Sequence, residues 1–159
     1  MALPIALDAN VVVYALDPYS GHRHRRARAV LQAAGRVSLR LPLQAVHETY
    51  AALTRKGQWA PARARDALRE LMEYVPVIHT TAELTLTALD LAVEHALSHW
   101  DALIVTTAAG GGCGKLLTED LQDGRRFAPP HVSRALQIVD PFAEVNLPLL
   151  ASLGLAPPS

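Results

Sequence analysis

Leu3-Pro4-Ile5-Ala6-Leu7 is a short apolar run that stops on Asp8-Ala9-Asn10, and this junction decides how the chain is read. A run of that length reads as a strand, and the polar triplet ends it. Outward from it, residues 22–34 (HRHRRARAVLQAA) carry charge at one end and Ala, Val and Leu toward the other, which reads as a helix. Residues 37–41 (VSLRL) make a second strand. Pro42 then suits a helix start, and Leu43, Val46, Tyr50 and Leu53 recur at helical spacing up to Gly57.

The same alternation continues. Pro61 opens a helix running to about Met72, and residues 74–78 make a third strand. Residues 81–97 form a long amphipathic helix, and Ser98 caps another from Trp100 to Ala109, where glycines stop it. Leu116-Leu117 ends a fourth strand and residues 136–139 make a fifth before Asp140-Pro141. Strands separated by helices imply parallel pairing, right-handed crossovers and a sheet covered on both faces. The expected fold is a three-layer α/β/α sandwich around a central parallel sheet of four to five strands. One domain is expected over 1–141, with a Leu- and Pro-rich tail, 142–159, packing on it.

Composition narrows the class. At 159 residues the chain is long enough for one domain with a real core, and 50% of it is hydrophobic. Lys+Arg and Asp+Glu both total 15, so a nucleic-acid partner is not signalled by net charge. A single cysteine, Cys113, excludes an internal disulfide and a cysteine-rich zinc site. The opening MALPIALDAN lacks a basic leader region, and no apolar run is long enough to span a bilayer, so a soluble cytoplasmic protein is expected.

Acids fall at the ends of these elements. Asp8 ends strand one, and Glu48 lies in the second turn of the helix after strand two. Asp101 lies in the first turn of the helix before strand four; Asp120 follows strand four, with Asp123 three residues on. Each has a plainer reading: Asp8 or Asn10 caps the short helix that follows, Ser98-x-x-Asp101 forms a capping box, and Glu48 faces solvent. Together they carry more, because parallel sheets gather sites at the carboxyl ends of their strands. Carboxylates about 5 Å apart repel by about 3 kcal/mol per pair at an effective dielectric near 20, so a shared cation is favoured. Oxygen ligands suit Mg²⁺ or Mn²⁺, and the chemistry implied is phosphodiester hydrolysis.

Leu7-Asp8-Ala9-Asn10-Val11, Ala45-Val46-His47-Glu48, Trp100-Asp101-Ala102-Leu103-Ile104-Val105 and Leu117-Thr118-Glu119-Asp120-Leu121 resemble, in order and spacing, the motifs of PIN domains. More narrowly they resemble VapC-type toxins of type II toxin–antitoxin pairs. The resemblance covers residues 3 to about 140. It implies that Asp8, Glu48, Asp101 and Asp120 occupy the metal-site carboxylate positions, supported by hydrogen bonds from Asn10 and Thr118. Asp123 stands where some relatives place a further acid, which leaves its division of labour with Asp120 open. The resemblance also implies a cytoplasmic endoribonuclease, homodimeric, dependent on Mg²⁺ or Mn²⁺, and held inactive by a partner antitoxin.

RNA needs cationic contacts, and the candidate patch is His22-Arg23-His24-Arg25-Arg26-Arg28, joined by Arg55-Lys56 or by Arg63, Arg65 and Arg69, with Arg23, Arg25 and Arg26 as the candidate RNA contacts. Residues 109–115 (AGGGCGK) imitate a phosphate-binding loop but precede a strand instead of following one, and read as a helix stop and turn. Trp59 and Trp100 are either buried or available to stack on a base. Two other functions compete: a phosphatase with Asp8 as nucleophile, against which Asn10 stands where a second acid belongs, and a PIN-like module that binds RNA without cleaving it.

Overall fold

The computed structural model describes residues 2–158; Met1 and Ser159, the ends of the expected domain and tail, lie outside the described residues. The first apolar run forms strand β1 (Ile5–Leu7), followed by α1 (Ala9–Leu16) and α2 (His22–Gln32). Next come β2 (Leu39–Pro42), α3 (Leu43–Arg55), α4 (Pro61–Tyr74), β3 (Val77–Ile78), α5 (Ala82–His95) and α6 (His99–Gly110). The chain closes with β4 (Lys115–Leu117), β5 (Arg126–Phe127), β6 (Leu136–Val139), a 3-10 turn at Glu144–Asn146 and α7 (Leu147–Ser152).

Local chemistry accounts for the boundaries. Asp8 caps α1 by accepting from the Ala9 N–H at 2.7 Å. Thr81 caps α5 through the Leu84 N–H at 3.1 Å, and Ser98 caps α6 through the Asp101 N–H at 3.1 Å. Pro61 occupies the first turn of α4, where a missing N–H costs nothing. After α6 the chain turns at Gly112, whose φ of +81° suits a residue without Cβ.

The sheet order is β3-β2-β1-β4-β6-β5. The pairs β1–β2, β2–β3, β1–β4 and β4–β6 are parallel, and β5 joins β6 antiparallel at the edge. All three β1 residues are buried, as a sheet covered on both faces requires. The result is the expected α/β/α sandwich, with six strands in place of four to five. The added strand β5 is two residues long, too short for its Arg-Phe to show a period, and it forms because Phe127 pairs with Leu136. Strand β3 is shorter than its sequence signal. Tyr74 stays helical and the Val75 N–H closes α4 on the Leu71 carbonyl at 2.9 Å, leaving only Val77 and Ile78 to pair. In the tail, Leu150 and Leu155 are each 1% exposed and join the common core.

Strand β1 has β2 on one side and β4 on the other, so successive connections leave it in opposite directions. That divergence opens a crevice at the carboxyl ends of β1 and β4. The ladder runs to its lip: the Asp8 N–H donates to the Leu117 carbonyl at 3.0 Å and the Thr118 N–H to the Val139 carbonyl at 3.1 Å. Asp8 and Thr118 thus stand side by side at the ends of two paired central strands.

Candidate active site

Asp8 is 7% exposed, and both its oxygens are used. Oδ1 caps α1; Oδ2 accepts from the Thr118 hydroxyl at 2.8 Å and, more weakly, from Asn10 Nδ2 at 3.4 Å. Thr118 is fully buried, and its Oγ1 also accepts from Asn10 Nδ2 and from the Asp120 N–H, each at 3.1 Å. Asn10 Nδ2 reaches Asp120 Oδ2 at 3.0 Å. Four residues from two strand ends therefore form one hydrogen-bonded cluster. Asn10 follows from α1, whose first turn directs it back across the crevice.

Electrostatics show the strain of this arrangement. The Asp8 carboxyl is pushed up from 3.8 to about 6, chiefly by burial. Hydrogen bonds from Thr118 and Ala9 pull it down, whereas the charges of Glu48 and Asp120 push it further up. Glu48 is exposed on α3 and close enough to act on Asp8 through its charge. Its Oε1 accepts from Gln44 Nε2 at 2.7 Å, one helical turn earlier. The same Nε2 donates to the Trp100 carbonyl at 3.0 Å, tying α3 to the start of α6.

Asp101 sits in that first turn of α6, half-buried, with its N–H bonded to the Ser98 hydroxyl. Its carboxylate makes no hydrogen bond among the described residues, and it is joined to the cluster only through the α3–α6 bridge. Asp123 is engaged elsewhere: its Oδ1 accepts from the Asp140 N–H at 2.8 Å and Asn146 Nδ2 at 2.9 Å, anchoring the turn before α7.

Of the cationic candidates, Arg23 Nε pairs with Glu119 Oε2 at 3.0 Å, with its guanidinium near the Tyr14 and Phe142 rings. Arg26 donates to the Phe142 carbonyl. Arg25 is exposed. Reading by motif missed the group that braces the loop after β4. The Tyr14 hydroxyl donates to Glu119 Oε1, and that bond chiefly raises the phenol to about 12. It missed Gln44 as well, although its position four residues before Glu48 is the spacing at which helix side chains meet.

The sequence profile of the PIN domain matches residues 5–126. The chain belongs to the PIN-domain family. The match runs from β1 to the start of β5 and takes in every residue of the acidic cluster. Solved structures with the same fold include VapC20 of Mycobacterium tuberculosis, described as a sarcin–ricin loop cleaving toxin. It is 25% identical at a TM-score of 0.60, over 70% of this chain and 86% of that one. VapBC of Salmonella typhimurium bound to DNA gives a TM-score of 0.61 at 15% identity, over 87% and 98% of the two chains. A toxin–antitoxin complex from Klebsiella pneumoniae gives 0.57 at 22% identity, over 86% and 97%. At those two identities the likeness is one of fold. No curated sequence matches the chain significantly.

Among the described residues of this PIN domain, no three His, Cys, Asp or Glu side chains stand close enough to form a ready-made metal cage. The amide of Asn10 lies between Asp8 and Asp120 and supplies the positive dipole that holds them. Even so, the donors fit a hard divalent cation. They are all oxygens, the buried Asp8 is costly to ionise beside two other acids, and Asn10 Oδ1 is buried with no hydrogen-bond partner among the described residues.

Proposed function

We propose that this PIN domain is a divalent-metal-dependent endoribonuclease of the VapC toxin type, hydrolysing RNA phosphodiester bonds and restrained by an antitoxin protein. The observation that carries the reading is the buried Asp8, tied to Thr118, Asn10 and Asp120 and pushed up toward 6 with Glu48 beside it. A carboxylate held at such a cost, at the crevice of a PIN sheet, is explained by a cation it serves.

In this reading Asp8, Asp101 and Asp120 would hold Mg²⁺ or Mn²⁺, directly or through water. A divalent ion held there would supply a water of lowered pKa and offset charge on the phosphoryl oxygens. Thr118 and Asn10 keep the Asp8 and Asp120 carboxylates in position, as the hydrogen-bond partners of metal ligands do. Glu48, exposed and tethered by Gln44, orients the attacking water. Because water attacks and the 2′-hydroxyl does not, the products carry 5′-phosphate and 3′-hydroxyl ends. The toxin–antitoxin complexes among the similar folds support an antitoxin partner; a homodimer and a cytoplasmic setting belong to the same proposal. No helix among the described residues is long and apolar enough to cross a membrane.

The test is incubation of the purified chain with a panel of single-stranded and hairpin RNAs in Mn²⁺, Mg²⁺ or chelator, beside Asp8→Asn. The reading expects metal-dependent cleavage, abolished by chelator and by the substitution, with 5′-phosphate ends. RNA binding without cleavage under every metal condition overturns it in favour of a binding module. Products ending in 2′,3′-cyclic phosphate overturn the water mechanism, and a phosphorylated Asp8 would identify a phosphatase.

A further inference from the structure

Across Glu48 from the acidic cluster lies a cleft of about 640 Å³, lined mainly by Leu43, Gln44, His47, Glu48, Trp100 and Leu103. Its size is that of a small-molecule site. Three features define what it suits. Trp100, in the first turn of α6, is 62% exposed, an unusual position for a large ring. It is not stacked face to face on a neighbour: the His99 ring is 5.1 Å away, tilted by 59°. Trp59, by contrast, has its face covered by the Arg63 guanidinium at 3.7 Å.

The second feature is the Gln44 amide. Its Nε2 is committed to Glu48 and to the Trp100 carbonyl, which fixes the amide's orientation. Its Oε1 is then buried, with no hydrogen-bond partner among the described residues. A buried acceptor left without a donor is destabilising, so a donor brought by a ligand is favoured. The third feature is the floor, where Leu43, Ala51 and Leu103 are apolar. An aromatic wall, an apolar floor and one unmet acceptor match a flat heterocycle with N–H groups on its edge.

We propose that this cleft is a nucleobase subsite, in which a base stacks on Trp100 and donates an edge N–H to Gln44 Oε1. The identity of the ligand rests on the ribonuclease reading, since Glu48 joins the cleft to the acidic cluster and places the base beside the phosphate held there. The subsite makes cleavage base-selective at the adjoining nucleotide. Trp100 supplies the affinity and Gln44 the discrimination.

The experiment uses a Trp59→Phe chain, in which Trp100 is the one remaining tryptophan of the two. It is titrated with the four ribonucleoside 5′-monophosphates and with ribose 5-phosphate, and free tryptophan amide corrects for absorption. Saturable quenching by at least one nucleotide, and none by ribose 5-phosphate, is expected. By calorimetry, Trp100→Ala should weaken that nucleotide about tenfold and Gln44→Leu about fivefold. Trp100→Ala should also raise KM and alter base preference at the cleavage site, with Trp100→Phe restoring most of both.

Suppose the wild-type chain cleaves RNA in Mn²⁺ but nucleotides leave Trp100 unquenched and Trp100→Ala keeps KM and base preference. The subsite is then overturned and the nuclease stands. Saturable quenching in a chain that cleaves no RNA supports the subsite while the nuclease reading fails. If nucleotides leave Trp100 unquenched and Trp100→Ala converts a dimer to monomers in sedimentation, the cleft is an interface between copies and the proposal is wrong.

Discussion

Thr118 donates its hydroxyl hydrogen to Asp8 Oδ2 at 2.8 Å, although 110 residues separate the two in sequence. The contact exists because β1 and β4 pair in parallel, with Leu7 opposite Leu117, so that the next residue on each strand reaches the same crevice. Thr118 is also the acceptor for Asn10 Nδ2 and the Asp120 N–H, which makes one hydroxyl the junction of the cluster.

Replacing Thr118 with Val keeps the buried shape and removes the junction. The lost hydroxyl leaves the Asp120 N–H and one Asp8 oxygen short of a partner, a cost of about 1–3 kcal/mol in urea unfolding. Mn²⁺ affinity measured by calorimetry should fall about 10- to 100-fold, as for other partners of metal ligands. Thr118→Ser, which keeps the oxygen, should recover most of both. Equal losses for Val and Ser would show that shape alone matters at this position.

Asp8 sets a pH dependence of definite sign. Its carboxyl is raised from 3.8 to about 6 on folding, so the native state holds this proton more tightly than the unfolded chain. The contribution is full below pH about 4 and is lost as pH rises through about 6, a change of about 3 kcal/mol. Metal-free protein should therefore lose stability over this window relative to Asp8→Asn, whose side chain does not titrate, and Mn²⁺ should restore it at pH 7. Urea midpoints of the two proteins from pH 4 to 7 in chelator measure the difference. Parallel curves would mean that burial does not penalise this carboxylate.

Asp120 and Asp123 should separate cleanly. Asp123 accepts from Asp140 and Asn146, so Asp123→Ala should loosen the turn before α7 and cost about 1–2 kcal/mol of stability. Asp120→Ala should instead lower Mn²⁺ affinity far more than Asp123→Ala does. Calorimetric titration of both variants decides between them, and the reverse order would reassign the ligand.

Tyr14 braces the loop that presents Asp120, because its hydroxyl donates to Glu119, which Arg23 also grips. With Glu119 as acceptor the phenol is raised to about 12, so spectrophotometric titration should show one of the four tyrosines ionising late. Tyr14→Phe should abolish that late step and destabilise the fold by about 1 kcal/mol. A wild-type titration complete by pH 11 would contradict the contact.

Much of the architecture was legible because its causes are local. Apolar runs at Ile5–Leu7, Leu116–Leu117 and Leu136–Val139, alternating with helical spacing, are enough to call for a parallel sheet between helices. Ser98 and Pro61 mark helix starts through the side chain or ring they carry, wherever the helix then packs. What stayed hidden depends on partners distant in sequence. Strand β5 is two residues that become a strand only against β6, and Tyr74 looks like strand until α4 keeps it.

The same division runs through the site. That acids stand at Asp8, Glu48, Asp101 and Asp120, each at the end or first turns of an element, is a property of the sequence alone, and so is the PIN resemblance they carry. Which of them touch was decided by the tertiary structure. Only the strand pairing sets Thr118 beside Asp8, turns Asp120 toward Asn10 and leaves Asp123 to the turn before α7. Only the placement of α3 beside the start of α6 shows Trp100 exposed over a cleft, while Trp59 lies under Arg63. The physical reason is range. Backbone propensity and capping act within a few residues, whereas hydrogen bonds and burial act between whatever groups the fold brings together.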